Sequence, residues 1–181
     1  MTSRTAARLN LWIARAAALG VLVSAVIIAV SAVAERPIPD LGLLTLPAVV
    51  LLVVGQAWAM AIQSARHLRA EWRKRGTMYF AGLSSRTNTA VMAVVAVGVL
   101  AFGTAFLFLG KGGPDPATRS CWPLDSHGVI TCVSHSTYLR AGAAQERSVA
   151  GILMVFFVIH FAFARSELNR RRRPTDTPDG A

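Results

Sequence analysis

Four long apolar runs, Ala16–Ala34, Leu41–Ile62, Ala90–Leu109 and Val149–Ala164, alternate along this chain with polar and basic stretches. A helix that crosses a bilayer needs about 20 mostly apolar residues, with about 17–25 the usual range. The first three runs meet that length, and the fourth reaches it with flanking residues such as Ser148. None shows the alternation over about ten residues that marks a transmembrane β-strand. The pattern predicts an all-α integral membrane protein with four transmembrane helices, at about 11–34, 41–64, 89–110 and 147–166. One membrane domain then spans 1–169, with a basic loop at 65–88, a second loop at 111–146 and a basic, then disordered, tail at 170–181. The first run has a competing reading as a signal peptide, with Arg4 and Arg8 in front and Ala32-Val33-Ala34 as a cleavage site. An h-region usually holds about 7–15 apolar residues, so the longer run favours an uncleaved helix.

Charge supplies the threading. The net charge is +10, but the basic residues are unevenly placed. Arg4, Arg8, Arg15, Arg66, Arg69, Arg73, Lys74, Arg75, Arg86, Arg165 and Arg170 to Arg173 make fourteen of the 19 Lys and Arg residues. Arg36, Lys111, Arg119, Arg140 and Arg147 make up the remainder, in the segments on the other side. Positive loops stay in the cytoplasm. The expected topology is N-in/C-in, with the 35–40 turn and the 111–146 loop extracytoplasmic. Arg-heavy, Lys-poor and Ala- and Val-rich usage points to a high-GC bacterial genome, and so to a multi-pass protein of a bacterial plasma membrane.

The extracytoplasmic side is an oxidising compartment, and both cysteines, Cys121 and Cys132, fall there. A Cys2His2 metal set with His127 and His135 matches no familiar ligand spacing. A redox pair would carry Cys-x-x-Cys, which is absent. A disulfide fits a hairpin instead. Asp125-Ser126-His127-Gly128 reads as a type I turn, and Val129–Val133 is rich in β-branched residues. The implied register pairs Leu124 with Val129, Pro123 with Ile130, Trp122 with Thr131 and Cys121 with Cys132. The cysteines then form a non-hydrogen-bonded pair, with Cα atoms about 4.5 Å apart. The expectation is a small disulfide-closed β-hairpin between helices 3 and 4, presenting Trp122, His127 and Tyr138.

The four runs contain no Asp, Glu, Lys or Arg. That argues against proton-coupled exporters with a buried carboxylate and against intramembrane proteases. Gln56 and His160 are the notable intramembrane polar groups, both placed near the cytoplasmic ends of their helices, where they can pair across an interface. Haem ligation at His160 would need a second histidine at matching depth, and His67 lies outside the membrane. Gly20 and Ser24, Gly55 and Ala59, and Ala101 and Ala105 are small-xxx-small pairs suited to close helix contact. On the cytoplasmic face Arg66, Arg69 and Arg73 share one side of a helix extension, with Lys74 and Arg75 beside them and Arg170, Arg171, Arg172 and Arg173 in the tail. They suit anionic lipid head groups or an acidic partner; nucleic acid is not expected, because no groove-reading element accompanies them. No cofactor, metal site or catalytic set is expected. The reading is a non-enzymatic accessory or scaffolding subunit, joined to a membrane protein partner or to a second copy of itself. The alternative is a transporter or channel component with Gln56, Thr104 and His160 lining a polar path.

Overall fold

A computed structural model describes residues 3–38, 50, 54–55, 83–109, 112–116 and 121–172. It holds three long helices, α1 (Ser3–Ala34), α2 (Ser85–Leu109) and α3 (His135–Arg172). Each contains a stretch long and apolar enough to cross a membrane. The expected helix at 41–64 falls outside the described residues except for Val50, Val54 and Gly55, which are helical.

Hydroxyl caps set the starts of α2 and α3. The Thr87 amide donates to Ser84 Oγ at 3.2 Å, and the Thr137 amide to Ser134 Oγ at 3.3 Å. Each side chain satisfies one amide that the first helical turn leaves without a partner. The cap at Ser134 starts α3 at His135 and not near 147, so residues 135–146 of the loop expected at 111–146 are helical instead. Apolarity marks only where the helix enters the membrane. The preceding Ala-rich stretch is helical as well, with Ala141, Ala143 and Ala144 fully buried. At 1.5 Å per residue, α3 is about 57 Å long, against about 30 Å for a bilayer core.

The small residues explain the packing. Gly20 of α1 lies against the Phe157 ring, and Arg147 reaches Ser31 further along, so α1 runs antiparallel to α3. Val91 of α2 packs with Val158 and Ala162, while Gly98 meets Gly151, which sets α2 antiparallel as well. At that crossing a Cβ on Gly151 would come within 2.6 Å of the Gly98 carbonyl oxygen, so the two backbones touch. Of the most apolar window in each helix, 50% is buried in α3, against 17% in α1 and 22% in α2. The long helix is therefore the central one, and the other two flank it.

The remaining strands form one antiparallel sheet, β1 (Gly113–Pro114), β2 (Trp122–Ser126) and β3 (Val129–Val133), in that order. The hairpin exists, but its register differs from the sequence reading. Ser126 pairs with Val129, Leu124 with Thr131 and Pro123 with Cys132. The reason is the turn. His127 and Gly128 both adopt positive φ, 57° and 85°, a two-residue type I′ connection whose twist matches that of the strands. Asp125 still acts as expected of the first residue of a turn, with its carboxylate accepting from the Gly128 amide at 2.7 Å. Cys121 therefore sits diagonally from Cys132, and the disulfide joins them over a Cα separation of 5.5 Å. The shift is by two positions, so both sulfurs stay on one face and the bridge forms.

The third strand leaves Pro123 in the middle of a sheet, where a missing N–H normally costs a ladder bond. The Asp115 amide donates to the Pro123 carbonyl at 3.1 Å, but Pro123 has no N–H to return. The Tyr138 hydroxyl fills that gap by donating to the Asp115 carbonyl at 3.0 Å. One side chain from the first turn of α3 thus completes the ladder and ties the sheet to the helix.

Candidate functional site

The polar side chains that the fold brings together gather where the sheet meets α1 and α3, called here the sheet end. The opposite, basic end holds Arg8, Arg86 and Arg165. At the sheet end α1 stops at Ala34. Glu35 takes a left-handed conformation, φ 50°, and Pro37 follows. That conformation is unfavourable for a non-glycine residue. Contacts from α3 hold it. Arg140 Nε donates to Glu35 Oε2 at 2.8 Å, and Arg147 Nη1 donates to the Ser31 carbonyl at 2.8 Å. The latter satisfies a carbonyl of the last helical turn, and a positive charge there also suits the helix dipole. Both Glu146 carboxylate oxygens accept from the Ile38 amide, at 2.9 and 3.0 Å. Three successive features of the 31–38 segment are thus fixed by one helix.

Above them the aromatic cluster seats the sheet. The Trp122 ring lies 4.1 Å from the His135 ring and 5.2 Å from the Tyr138 ring, measured between centroids. Trp122 and Tyr138 therefore pack on each other, with Trp122 exposed and Tyr138 half-buried, while His127 stands exposed on the turn. Both cysteine sulfurs are used in the disulfide, which leaves neither as a metal ligand. β3 is the outward edge strand. Its residues from Val129 to Cys132 are exposed, including Val129 at 65% and Ile130 at 62%.

Beside the sheet end, α1 and α2 part over α3 and leave a crevice of about 450 Å³. Its walls include Ile28, Ala32, Ala101 and Phe108, and both Arg140 and Arg147 line it with Glu35 and Thr104. The Thr104 hydroxyl donates to its own helix, at the Leu100 carbonyl, 2.8 Å away.

His160 occupies a different place. It is buried, its Nδ1 lies 2.7 Å from the Phe156 carbonyl, and Nε2 has no hydrogen-bond partner among the described residues. Its ring edge abuts Gly55, where a Cβ would come within 2.8 Å. A cavity of about 40 Å³ beside it is walled by Ile13, Ala16, Ala17, Val54 and Phe157. From Arg147 to His160 is thirteen residues of α3, about 20 Å, so Thr104 and His160 do not share a site. Gln56, the expected partner of His160, lies outside the described residues. So do Arg66, Arg69, Arg73, Lys74, Arg75 and Arg173, together with the side chains of Arg170, Arg171 and Arg172.

The polar contacts between α3 and the 31–38 segment are not legible in the sequence, because each joins residues more than a hundred positions apart. One signal was present. Arg140 and Arg147 stand seven apart, which places them on one face of a helix, but that signal counts only if residues 135–146 are read as helical. No known protein family, curated protein or solved structure matches the chain.

Proposed function

We propose that this protein is a non-enzymatic accessory or scaffolding subunit of a plasma-membrane complex. It threads the bilayer four times with both termini inside, and the sheet end is extracytoplasmic. The basic asymmetry of the sequence supports the threading. The disulfide supports an oxidising location for the sheet.

One observation carries the scaffolding reading. A stapled sheet, tied by Tyr138 and the Trp122 cluster to a helix longer than the membrane is thick, offers an uncharged edge strand with Val129 and Ile130 exposed. Exposed sheet edges are normally protected by charge, proline or a covering element. A rigid, apolar, uncharged edge suits strand addition by a partner, where main-chain bonds give affinity and alternate side chains give selectivity. The path reading has less support, because Thr104 lines the crevice beside Arg147, and Arg147 is about 20 Å along α3 from His160.

Purification of the tagged full chain from native membranes in mild detergent tests the proposal. A stoichiometric protein partner is expected with the native chain and is expected to be lost with Ile130→Lys. A chain that purifies alone, and moves a solute when placed in vesicles, would transfer the assignment to the transport reading.

A further inference from the structure

The crevice at the sheet end has a chemistry that the scaffolding reading does not use. Arg140 and Arg147 lie within about 20° of each other round α3, at about 100° per residue. Among the described residues each guanidinium makes a single bond, Arg140 through Nε to Glu35 and Arg147 through Nη1 to the Ser31 carbonyl. A guanidinium carries five N–H donors. Most donors of both groups therefore remain uncommitted to the described residues, on side chains already held in place. Two arginines and one glutamate leave the crevice with a net charge of about +1, which a single phosphodiester would neutralise.

Apart from Thr104, whose hydroxyl bonds its own helix, the rest of the crevice is apolar and opens between two helices that are themselves apolar enough to lie in a membrane. Towards the basic end it closes, where Val21 of α1 and Val94 and Val95 of α2 pack on the same cluster. A volume of about 450 Å³ lies within the usual range for a small-ligand pocket, about 300–1,000 Å³. Two described residues that follow α1 in sequence meet a different face. Pro37 lies against Gly142, and Gly55 against His160. Both contacts are about 200° round α3 from Arg140, on the side away from the crevice.

We propose that this crevice binds one anionic phospholipid from the leaflet at the sheet end. Its phosphate lies between Arg140 and Arg147, and one acyl chain lies against Ile28, Ala32, Ala101 and Phe108. Arginine suits this role because its fork can meet two phosphate oxygens at once.

The test is native mass spectrometry of the full chain, transferred from bilayers of phosphatidylcholine doped with phosphatidylglycerol. One phosphatidylglycerol is expected to remain per chain. Arg140→Gln with Arg147→Gln should lower that retention about tenfold or more, while Arg36→Gln, at an exposed position that does not line the crevice, should leave it unchanged. Because Arg147 also caps α1, the paired change could disturb folding, which an intact disulfide and an unchanged melting curve would exclude. Ala101→Leu provides an independent arm, as it fills the crevice and keeps both arginines. It too should lower retention, and it decides alone if the arginine variant does not fold. Equal retention of phosphatidylcholine would overturn the proposal, as would undiminished retention by Ala101→Leu. Displacement of the lipid by inorganic phosphate alone would reassign the site to a free anion and also overturn it.

Discussion

Gly98 and Gly151 show how much can turn on a single absent methyl group. A Cβ on Gly151 would meet the Gly98 carbonyl oxygen at 2.6 Å and the Phe102 amide nitrogen at 2.9 Å, and backbone cannot move aside as a side chain can. Gly151→Val is therefore expected to destabilise the α2–α3 crossing by about 1–3 kcal/mol or more. Gly103→Val, where a Cβ would meet nothing within 4 Å, should be nearly silent. Thermal unfolding of the two variants in the same detergent checks the contrast. Little of this crossing was legible from residue spacing. Ala101 and Ala105 stood out as a four-apart pair, and both are buried. Gly98 and Gly151 did not stand out, because neither has a small residue four positions away on its own helix and the match exists only between helices. Tyr138 was similarly hidden. Its role follows from Pro123 lying in a central strand, and the short β1 that makes β2 central has no propensity signal. Tyr138→Phe keeps the ring but removes the donor to Asp115, and should weaken the sheet by about 1 kcal/mol, read as faster amide exchange at residues 113–126.

At the scale of elements, the three described helices were legible from apolar length and their ends were not. α1 extends back to Ser3, and α3 begins twelve residues before the expected position, because caps and buried alanines rather than hydropathy decide those boundaries. Ser134→Ala should cost about 1 kcal/mol through loss of the cap and lower the unfolding temperature. Its effect should exceed that of Ser136→Ala, whose hydroxyl contacts Ser134 Oγ alone among the described residues. The hairpin gives the opposite lesson. Its strands, its Asp125 contact and its disulfide were readable, but its register was not. His127 in a left-handed conformation is uncommon for a residue with a Cβ, and the type I reading of Asp-x-x-Gly competes with the type I′ turn that forms. Replacing both Cys121 and Cys132 with serine should loosen residues 112–134, by up to about 3 kcal/mol in the chain-entropy account. The helices should insert as before, since insertion follows apolar length. Hydrogen exchange of the sheet, beside protease protection of α1 and α2, separates the two effects.

For the whole molecule, the threading and the role of the sheet end are the claims that organise the others. The charge asymmetry predicts that Arg75→Cys reacts with thiol reagents only from the cytoplasmic side, and that Pro116→Cys reacts with an impermeant maleimide in intact cells. The most direct measurement for the scaffolding proposal is a photoreactive amino acid placed at position 130, on the exposed edge of β3, and irradiated in intact membranes. Position 22, on an exposed face of α1, serves as the comparison. One discrete protein adduct at 130, with only lipid adducts at 22, is the expected result. Lipid adducts alone at both positions would contradict the proposal that the sheet end exists to hold a partner.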